Sequence, residues 1–344
     1  MTDHMTAPAA GAAAIRPRRL ARGDVIGVCT PSGPGAVFAP GRFARGLQAL
    51  RDRGFRVEVG AQSGASGHSA GPAEARAAEL NGFLRDGRVR AVVCTIGGYT
   101  ANGLLPYLDY EAFAADPKPV VGYSDLTALL LGLHARTGVV TFHGPTLMPE
   151  LAEFPDVQKY SDTSLFGALT AAVPAGVLRP PEHWTQEFLL WDKDDDRPRD
   201  TVPHQGWEWL AGGAGGGPLL GGNLETLCAL LGTPYVPSFD GAVLFWETCE
   251  SNPALLERAL TQLDAAGVTA RPAGMVVGRS FRAPDGFEEQ LRATVAARYG
   301  GRGFPVLAGV DLGHTDPMLT LPVGVPARLD AAAGTFELTA AGVR

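Results

Sequence analysis

The sequence predicts an α/β protein: a parallel sheet covered by helices on both faces, followed by a smaller, β-rich second domain. Three features carry that prediction. Up to about residue 150, strand-sized apolar runs alternate with segments whose apolar residues recur at helical spacing. Most of the runs are continuously apolar, which is how strands buried on both faces read. Past residue 218 the chain returns to strand-like runs and finishes in three short ones, at 321–325, 327–329 and 335–338.

In order, residues 24–29 form the first strand, stopped by the turn-forming cluster Thr30-Pro31-Ser32-Gly33-Pro34. Phe43, Leu47 and Leu50 mark a helix that closes near Gly54, and residues 55–59 alternate as a strand. Ala77, Leu80 and Leu84 line one face of a helix over 73–84; an apolar strand follows at 89–95, then a partly helical stretch at 104–113. Residues 119–123 make the next strand, a helix opens at Asp125, and 137–144 closes the run. From 151 to 215 periodic apolar segments are few. That stretch holds an acidic run (Asp192, Asp194, Asp195, Asp196), expected as a solvated loop, and Trp184, Trp191, Trp207 and Trp209. The glycine-rich run from Gly212 to Pro218 reads as a hinge or a tight turn cluster. Beyond it come a strand at 241–247, a helix carrying Leu255, Leu256, Ala259 and Leu263, and strands at 274–277 and 305–310. The expected divisions are a disordered leader at 1–22, a nucleophile domain at 23–150, a linker and tryptophan-bearing loop at 151–217, and a second domain at 218–344.

Composition removes several function classes. The chain has 344 residues, of which 45% are hydrophobic and 19% charged, as expected of a packed core. A net charge of −7, with no basic stripe interleaved with aromatics, argues against binding a nucleic acid polymer. The longest apolar runs are too short to span a membrane. The first 22 residues lack an apolar segment followed by a cleavage site, which predicts a cytoplasmic protein. Cys29, Cys94, Cys228 and Cys249 form no C-x-x-C pair, so they read as inert thiols in a reducing compartment rather than zinc ligands.

Three polar groups stand where chemistry is usually placed in such a sheet, beyond the carboxyl ends of strands. Ser124, in Gly122-Tyr123-Ser124-Asp125-Leu126, sits on a tight turn between a buried strand and a helix, as a nucleophilic hydroxyl would. The second glycine of G-x-S-x-G is missing, and the same serine also reads as a helix cap. Glu247 ends an apolar strand, so its carboxylate needs a partner or a raised pKa; a strand-end ion pair would serve equally. His314 lies in a turn rich in groups able to orient an imidazole (Asp311, Thr315, Asp316), with His143 its main competitor. Together they supply hydroxyl, base and orienting acid for acyl transfer. The N–H groups of Asp125 and Gly98 are the natural oxyanion donors, since Gly97-Gly98-Tyr99 directly follows a strand and glycine allows close backbone approach.

The chain resembles the LD-carboxypeptidase family of serine peptidases. The likeness rests on Thr30-Pro31-Ser32-Gly33, Ile96-Gly97-Gly98-Tyr99, residues 104–110, Gly122-Tyr123-Ser124-Asp125, Gly221-Gly222-Asn223-Leu224, Leu244-Phe245-Trp246-Glu247 and Gly313-His314-Thr315-Asp316, in family order. It implies Ser124 as nucleophile, His314 as general base and Glu247 as its orienting acid. It also implies a flavodoxin-like first domain, a smaller β-rich second domain with the site between them, no metal or other cofactor, and a homodimer. One branch of the family trims murein tetrapeptides. The other, the microcin C self-immunity branch, hydrolyses peptidyl- or aminoacyl-nucleotide antibiotics. The long tryptophan-bearing segment is similar to the second, which implies substrate contacts from Trp184, Trp191, Gly97 and Tyr99. An aromatic face gives a nucleobase roughly 1–3 kcal/mol of stacking. Tryptophans that serve as core or interface anchors are the competing account, and a binding protein without catalysis is the alternative from another class.

Overall fold

The computed structural model describes residues 13–344. Its first sheet contains β1 (Val25–Cys29), β2 (Arg56–Val59), β3 (Val89–Cys94), β4 (Val120–Gly122) and β5 (Thr141–His143). These five are parallel, in the order β2-β1-β3-β4-β5. That is the flavodoxin-like order, with its switch point between β1 and β3. The continuously apolar strands are the interior ones, and β2, whose residues are partly exposed, is the edge. Helices α1 (Gly35–Phe38), α2 (Pro40–Asp52), α3 (Ala73–Arg85), α4 (Tyr110–Ala115), α5 (Thr127–Thr137) and α6 (Lys159–Thr170) flank it. Leu47 and Leu50 of α2 pack with Leu165 and Leu169 of α6 in one core. Leu80 and Leu84 of α3 join Leu129 and Leu133 of α5 in the other.

The second sheet runs β6-β16-β15-β10-β11-β12-β13-β9. Its members are β6 (Gly176–Val177), β9 (Glu208–Ala211), β10 (Ala214–Asn223), β11 (Val243–Glu247), β12 (Gly274–Gly278), β13 (Val306–Val310), β15 (Pro326–Asp330) and β16 (Thr335–Leu338). Its centre, β10 to β13, is parallel, and α7 (Leu224–Leu230), α8 (Pro253–Ala265) and α9 (Phe287–Tyr299) are the crossovers. The flanking strands are antiparallel. A separate ribbon pairs β7 (His183–Trp184) with β8 (Val202–Pro203).

Three expectations need correction. Most of the glycine-rich run is neither hinge nor turn: only Gly212 and Gly213 connect β9 to β10, and from Ala214 to Pro218 the run is the first half of β10. A Cβ at Gly215 would strike the Ala273 carbonyl, and one at Gly217 the Gly241 carbonyl, so these glycines let neighbouring backbone lie against the strand. The first of the three short closing segments, expected in the second domain, is β14 (Leu321–Val323), which instead adds antiparallel to β5 in the first sheet. The second sheet has eight strands and three crossover helices. Of the expected leader, residues 1–12 lie outside the described ones, and 15–20 are docked. There Ile15 bridges to Val139, the Arg19 N–H donates to the Arg344 carbonyl, and Leu20 is buried.

The two sheets share α5. It packs on β10, α7 and β14, and the Asn223 N–H donates to Thr127 Oγ1 at 2.9 Å. Among the described residues no helix is long and apolar enough to cross a membrane.

Candidate active site

Ser124 follows β4 on a sharp turn and holds φ 61°, a conformation rare outside glycine. The turn costs of order 1–3 kcal/mol and lifts the hydroxyl clear of the sheet. Ser124 Oγ lies 2.9 Å from His314 Nε2, and His314 Nδ1 lies 2.8 Å from Glu247 Oε2. Glu247 is fully buried at the end of β11 and takes a second hydrogen bond, 3.1 Å, from Asn223 Nδ2. Burial works against a charged His314, but the Glu247 carboxylate and, after it, Cys249 together outweigh it and hold the imidazole pKa well above its usual range. The ring is fixed by the edge of Tyr123, centroids 5.0 Å apart, and by Phe281, stacked at 6.2 Å.

His143 stays outside this series. It is buried against Tyr123 and Phe245, with no hydrogen-bond partner for either ring nitrogen, and burial pushes its pKa down to about 4. The Asp125 carboxylate turns away from the hydroxyl, accepting 2.5 Å from Ser32 Oγ and 2.8 Å from the Ala101 N–H. It thereby ties the loops after β1 and β3 to the serine turn. Gly97 lies against Ser124, since a Cβ there would sit 2.9 Å from Ser124 Cβ and 3.4 Å from the Asp125 nitrogen. Neither the Asp125 nor the Gly98 N–H donates to another segment.

These groups open into a cavity of about 580 Å³. Gly97, Gly98, Tyr99 and Trp191 line it, but Trp184 does not. Trp184 stands in β7 beneath Arg279, whose guanidinium is 4.4 Å from the ring. Trp191 lies 4.8 Å from the Arg42 guanidinium and 5.9 Å from Phe188, and Tyr99 is the most open aromatic, 89% exposed. Trp207 Nε1 donates to Asp311, and Trp209 packs on the second core from β9.

The acidic run is a solvated loop only in part: Asp194 and Asp196 are exposed, but Asp192 and Asp195 are engaged. Asp192 caps α2 by accepting from the Gly41 and Arg42 N–H groups at 2.6 Å each, and Asp195 is buried between Arg42 (2.9 Å) and Arg45 (2.6 Å). The distant partners on α2 could not be read from local composition. Arg199 completes the clamp on the tryptophan-bearing segment: it pairs with Glu153 at 2.8 Å and with Asp316, two residues past His314, at 2.7 Å. Asn223, Glu150 and Arg199 carried no local signal for their places here. Glu150 takes hydrogen bonds from Tyr123 Oη (2.6 Å) and the Thr146 N–H (2.7 Å), and burial beside Asp316 pushes its carboxyl up to about 8. Among the described residues no group of three or more His, Cys, Asp or Glu is placed to hold a metal ion.

A hydroxyl, an imidazole and a buried carboxylate in hydrogen-bonded series, beside two unused N–H groups, have what acyl transfer requires of a serine hydrolase. The comparisons give the class its family. The LD-carboxypeptidase N-terminal domain model matches residues 26–144 and the C-terminal domain model residues 216–329. The chain belongs to the LD-carboxypeptidase family and is a serine carboxypeptidase.

It is 34% identical to a putative carboxypeptidase of Vibrio cholerae over 93% of this chain and 96% of that one. It is also 34% identical to the microcin C7 self-immunity protein of Escherichia coli over 90% and 92%. With a probable murein peptide carboxypeptidase of Bacillus subtilis it shares 30% over 94% of each. A solved structure of the self-immunity protein, a tryptophan-to-phenylalanine variant in complex with adenosine monophosphate, superposes with a TM-score of 0.89 at 32% identity, covering 96% of this chain and all of that one. The same protein has been solved with aspartyl sulfamoyl adenosine and glutamyl sulfamoyl guanosine. An active-site variant of it replaces a serine, an asparagine and a lysine by alanine.

Proposed function

We propose that this protein hydrolyses the amide or acyl bond of aminoacyl- or peptidyl-nucleotide conjugates through Ser124, His314 and Glu247. The observation that carries the reading is the unbroken series from Ser124 Oγ through His314 to Glu247, opening into a cavity walled by Trp191, Phe188 and Tyr99. In the proposed mechanism Ser124 Oγ attacks the acyl carbon as its proton passes to His314 Nε2. Glu247 keeps the other ring proton on Nδ1 and stabilises the imidazolium. The N–H groups of Asp125 and Gly98 meet the oxyanion. His314 then returns the proton to the leaving nitrogen, and a water activated by the same imidazole releases the acyl group. Trp191, with Phe188 beside it, offers the leaving nucleoside a face. The likeness to the self-immunity protein and its nucleotide ligands favours this substrate over a murein peptide. A cytoplasmic homodimer belongs to the same proposal.

The test compares turnover of aminoacyl-sulfamoyl adenosines with that of a murein tetrapeptide, for the wild type and for Ser124→Ala. The expected result is hydrolysis of the conjugates, abolished in the variant while binding persists. Exclusive use of the tetrapeptide would overturn the substrate assignment. Undiminished turnover by Ser124→Ala would overturn the mechanism.

A further inference from the structure

The charges lining the cavity bear on the acyl group. Its wall carries seven carboxyl groups (Asp125, Glu150, Glu153, Glu187, Glu225, Glu250 and Asp316) against two guanidiniums, Arg42 and Arg199. Both guanidiniums are already paired with carboxylates. Arg42 donates to Asp195, Glu153 and the carbonyls of Met148 and Pro149. Arg199 donates to Glu153, Asp316 and the Glu187 carbonyl. The three lysines, Lys118, Lys159 and Lys193, all lie elsewhere. At the lip, Arg282 pairs with Glu250 at 3.3 Å and lies 5.3 Å from the Phe188 ring. A substrate carboxylate entering this cavity would therefore find no free cation among the lining residues.

Glu225 differs from the other acids. It opens α7, is exposed, and forms no ion pair among the described residues. Asn223 Nδ2 donates to it at 3.0 Å and to Glu247 at 3.1 Å, and Thr248 Oγ1 donates to its other oxygen. It is thus held one side chain away from the Ser124–His314–Glu247 series. With Thr226, Ala229 and Cys249 it lines the same cavity as Ser124, Trp191 and Arg42. An acyl group held at Ser124 while the nucleoside takes Trp191 lies beside the Asn223 amide that bonds both Glu225 and Glu247.

Resting on the function proposed above, we infer that Glu225 makes the enzyme select acyl groups carrying a positively charged side chain and discriminate against acidic ones. An unpaired carboxylate lining the cavity beside the reacting series attracts an ammonium and repels a second carboxylate, and partial enclosure weakens the screening that would erase the difference. Specificity set in this way comes from repulsion as much as attraction.

The experiment measures kcat/KM of the full chain on lysyl-, alanyl- and aspartyl-sulfamoyl adenosine, and equilibrium binding of the same three to Ser124→Ala. The lysyl compound should exceed the aspartyl one by about tenfold or more in both measurements, a difference of about 1.4 kcal/mol. Glu225→Gln should shrink that ratio several-fold, in turnover and in binding alike, with thermal unfolding as the control for a variant that merely disturbs the site. Equal or tighter binding of the aspartyl compound by Ser124→Ala overturns the inference and leaves the proposed hydrolysis standing. Lysyl-selective binding without turnover of any conjugate by the wild type overturns the proposed hydrolysis alone. A wild-type ratio unmoved by Glu225→Gln removes Glu225 as its source.

Discussion

Replacing Glu247 by Gln is the sharpest test of the site, because the structure dictates how the new amide would sit. The carboxylate has no solvent contact and two partners, His314 Nδ1 at 2.8 Å and Asn223 Nδ2 at 3.1 Å. Asn223 presents a donor, so the glutamine carbonyl oxygen turns toward it and the NH2 group faces His314. Nδ1 must then accept, which moves the ring proton to Nε2, the atom 2.9 Å from Ser124 Oγ. An Nε2–H cannot take the serine proton, and the imidazolium has lost its counter-charge. The expected loss in kcat is about 10⁴-fold, the size of effect seen when a triad acid becomes an amide. The pH profile supplies an independent readout. Glu247, with Cys249 after it, holds the His314 pKa well above its usual range, and the working base is the neutral ring. Wild-type kcat/KM should therefore climb along a limb lying above the ordinary histidine range, and the variant's residual activity should climb at lower pH. Linkage gives the matching stability signature. A raised folded pKa contributes stability that is complete below the unfolded value and lost as pH rises through the folded one, and the variant should lack that loss. Steady-state kinetics on a sulfamoyl adenosine substrate across pH, with thermal unfolding as the control, measure all three. Activity within tenfold of the wild type, or an unmoved limb in a folded variant, would refute the assignment of Glu247.

Two further changes probe the surroundings. Gly97→Ala should lower kcat/KM by about 10²-fold with little change in thermal stability, since its Cβ would lie 2.9 Å from Ser124 Cβ and 3.0 Å from Oγ, and displacements of about 1 Å at a reacting group have that effect. Near-normal kinetics would place the Gly97 backbone outside the reacting geometry. Glu150, raised to about 8 from 4.5 by burial first and Asp316 second, binds its proton more tightly folded than unfolded, so stability should fall as pH rises from about 4.5 towards about 8. Denaturant titrations of Glu150→Gln should show that slope reduced, and an unchanged slope would mean that Glu150 is not the group responsible.

Legibility in the sequence followed the range of the interaction involved. The strands of the first sheet announce themselves because burial on both faces demands continuous apolar runs. Ser124 is visible for a related reason, as a polar residue that ends such a run before a helix. Glu247 and His314 stand at comparable ends, yet nothing local joins them to Ser124: the pairing spans 67 and 190 residues. The family resemblance supplied the connection that spacing could not. Helix α9 has a local signal of the same kind, since its buried residues Phe287, Leu291, Val295 and Tyr299 recur every four positions. The glycines of β10 and the acids of 192–195 misled for one reason. Each residue type has a default local meaning, turn or solvated loop, that a partner far along the chain overrides: the carbonyls of Ala273 and Gly241 for the glycines, α2 for the acids.

The same distant partners explain how two sheets hold one reacting geometry. From Ser124 the hydrogen bonds run to His314, to Glu247, to Asn223, and from the Asn223 backbone to Thr127, three residues beyond the serine where they began. The ring is closed, with members from the serine turn, the start of α5, the ends of β10 and β11 and the loop after β13. A closed ring resists the sliding of one lobe on the other, because any such motion must break at least one bond to a buried group, and leaving such a group unpaired costs roughly 1–3 kcal/mol. Ser124, His314 and Glu247 are therefore aligned without substrate, which would keep the reorganisation energy of the proposed attack small. What moves on binding must then be sought in the tryptophan-bearing segment. Its clamps at Asp192, Asp195 and Arg199 set the height of the aromatic wall without entering the ring.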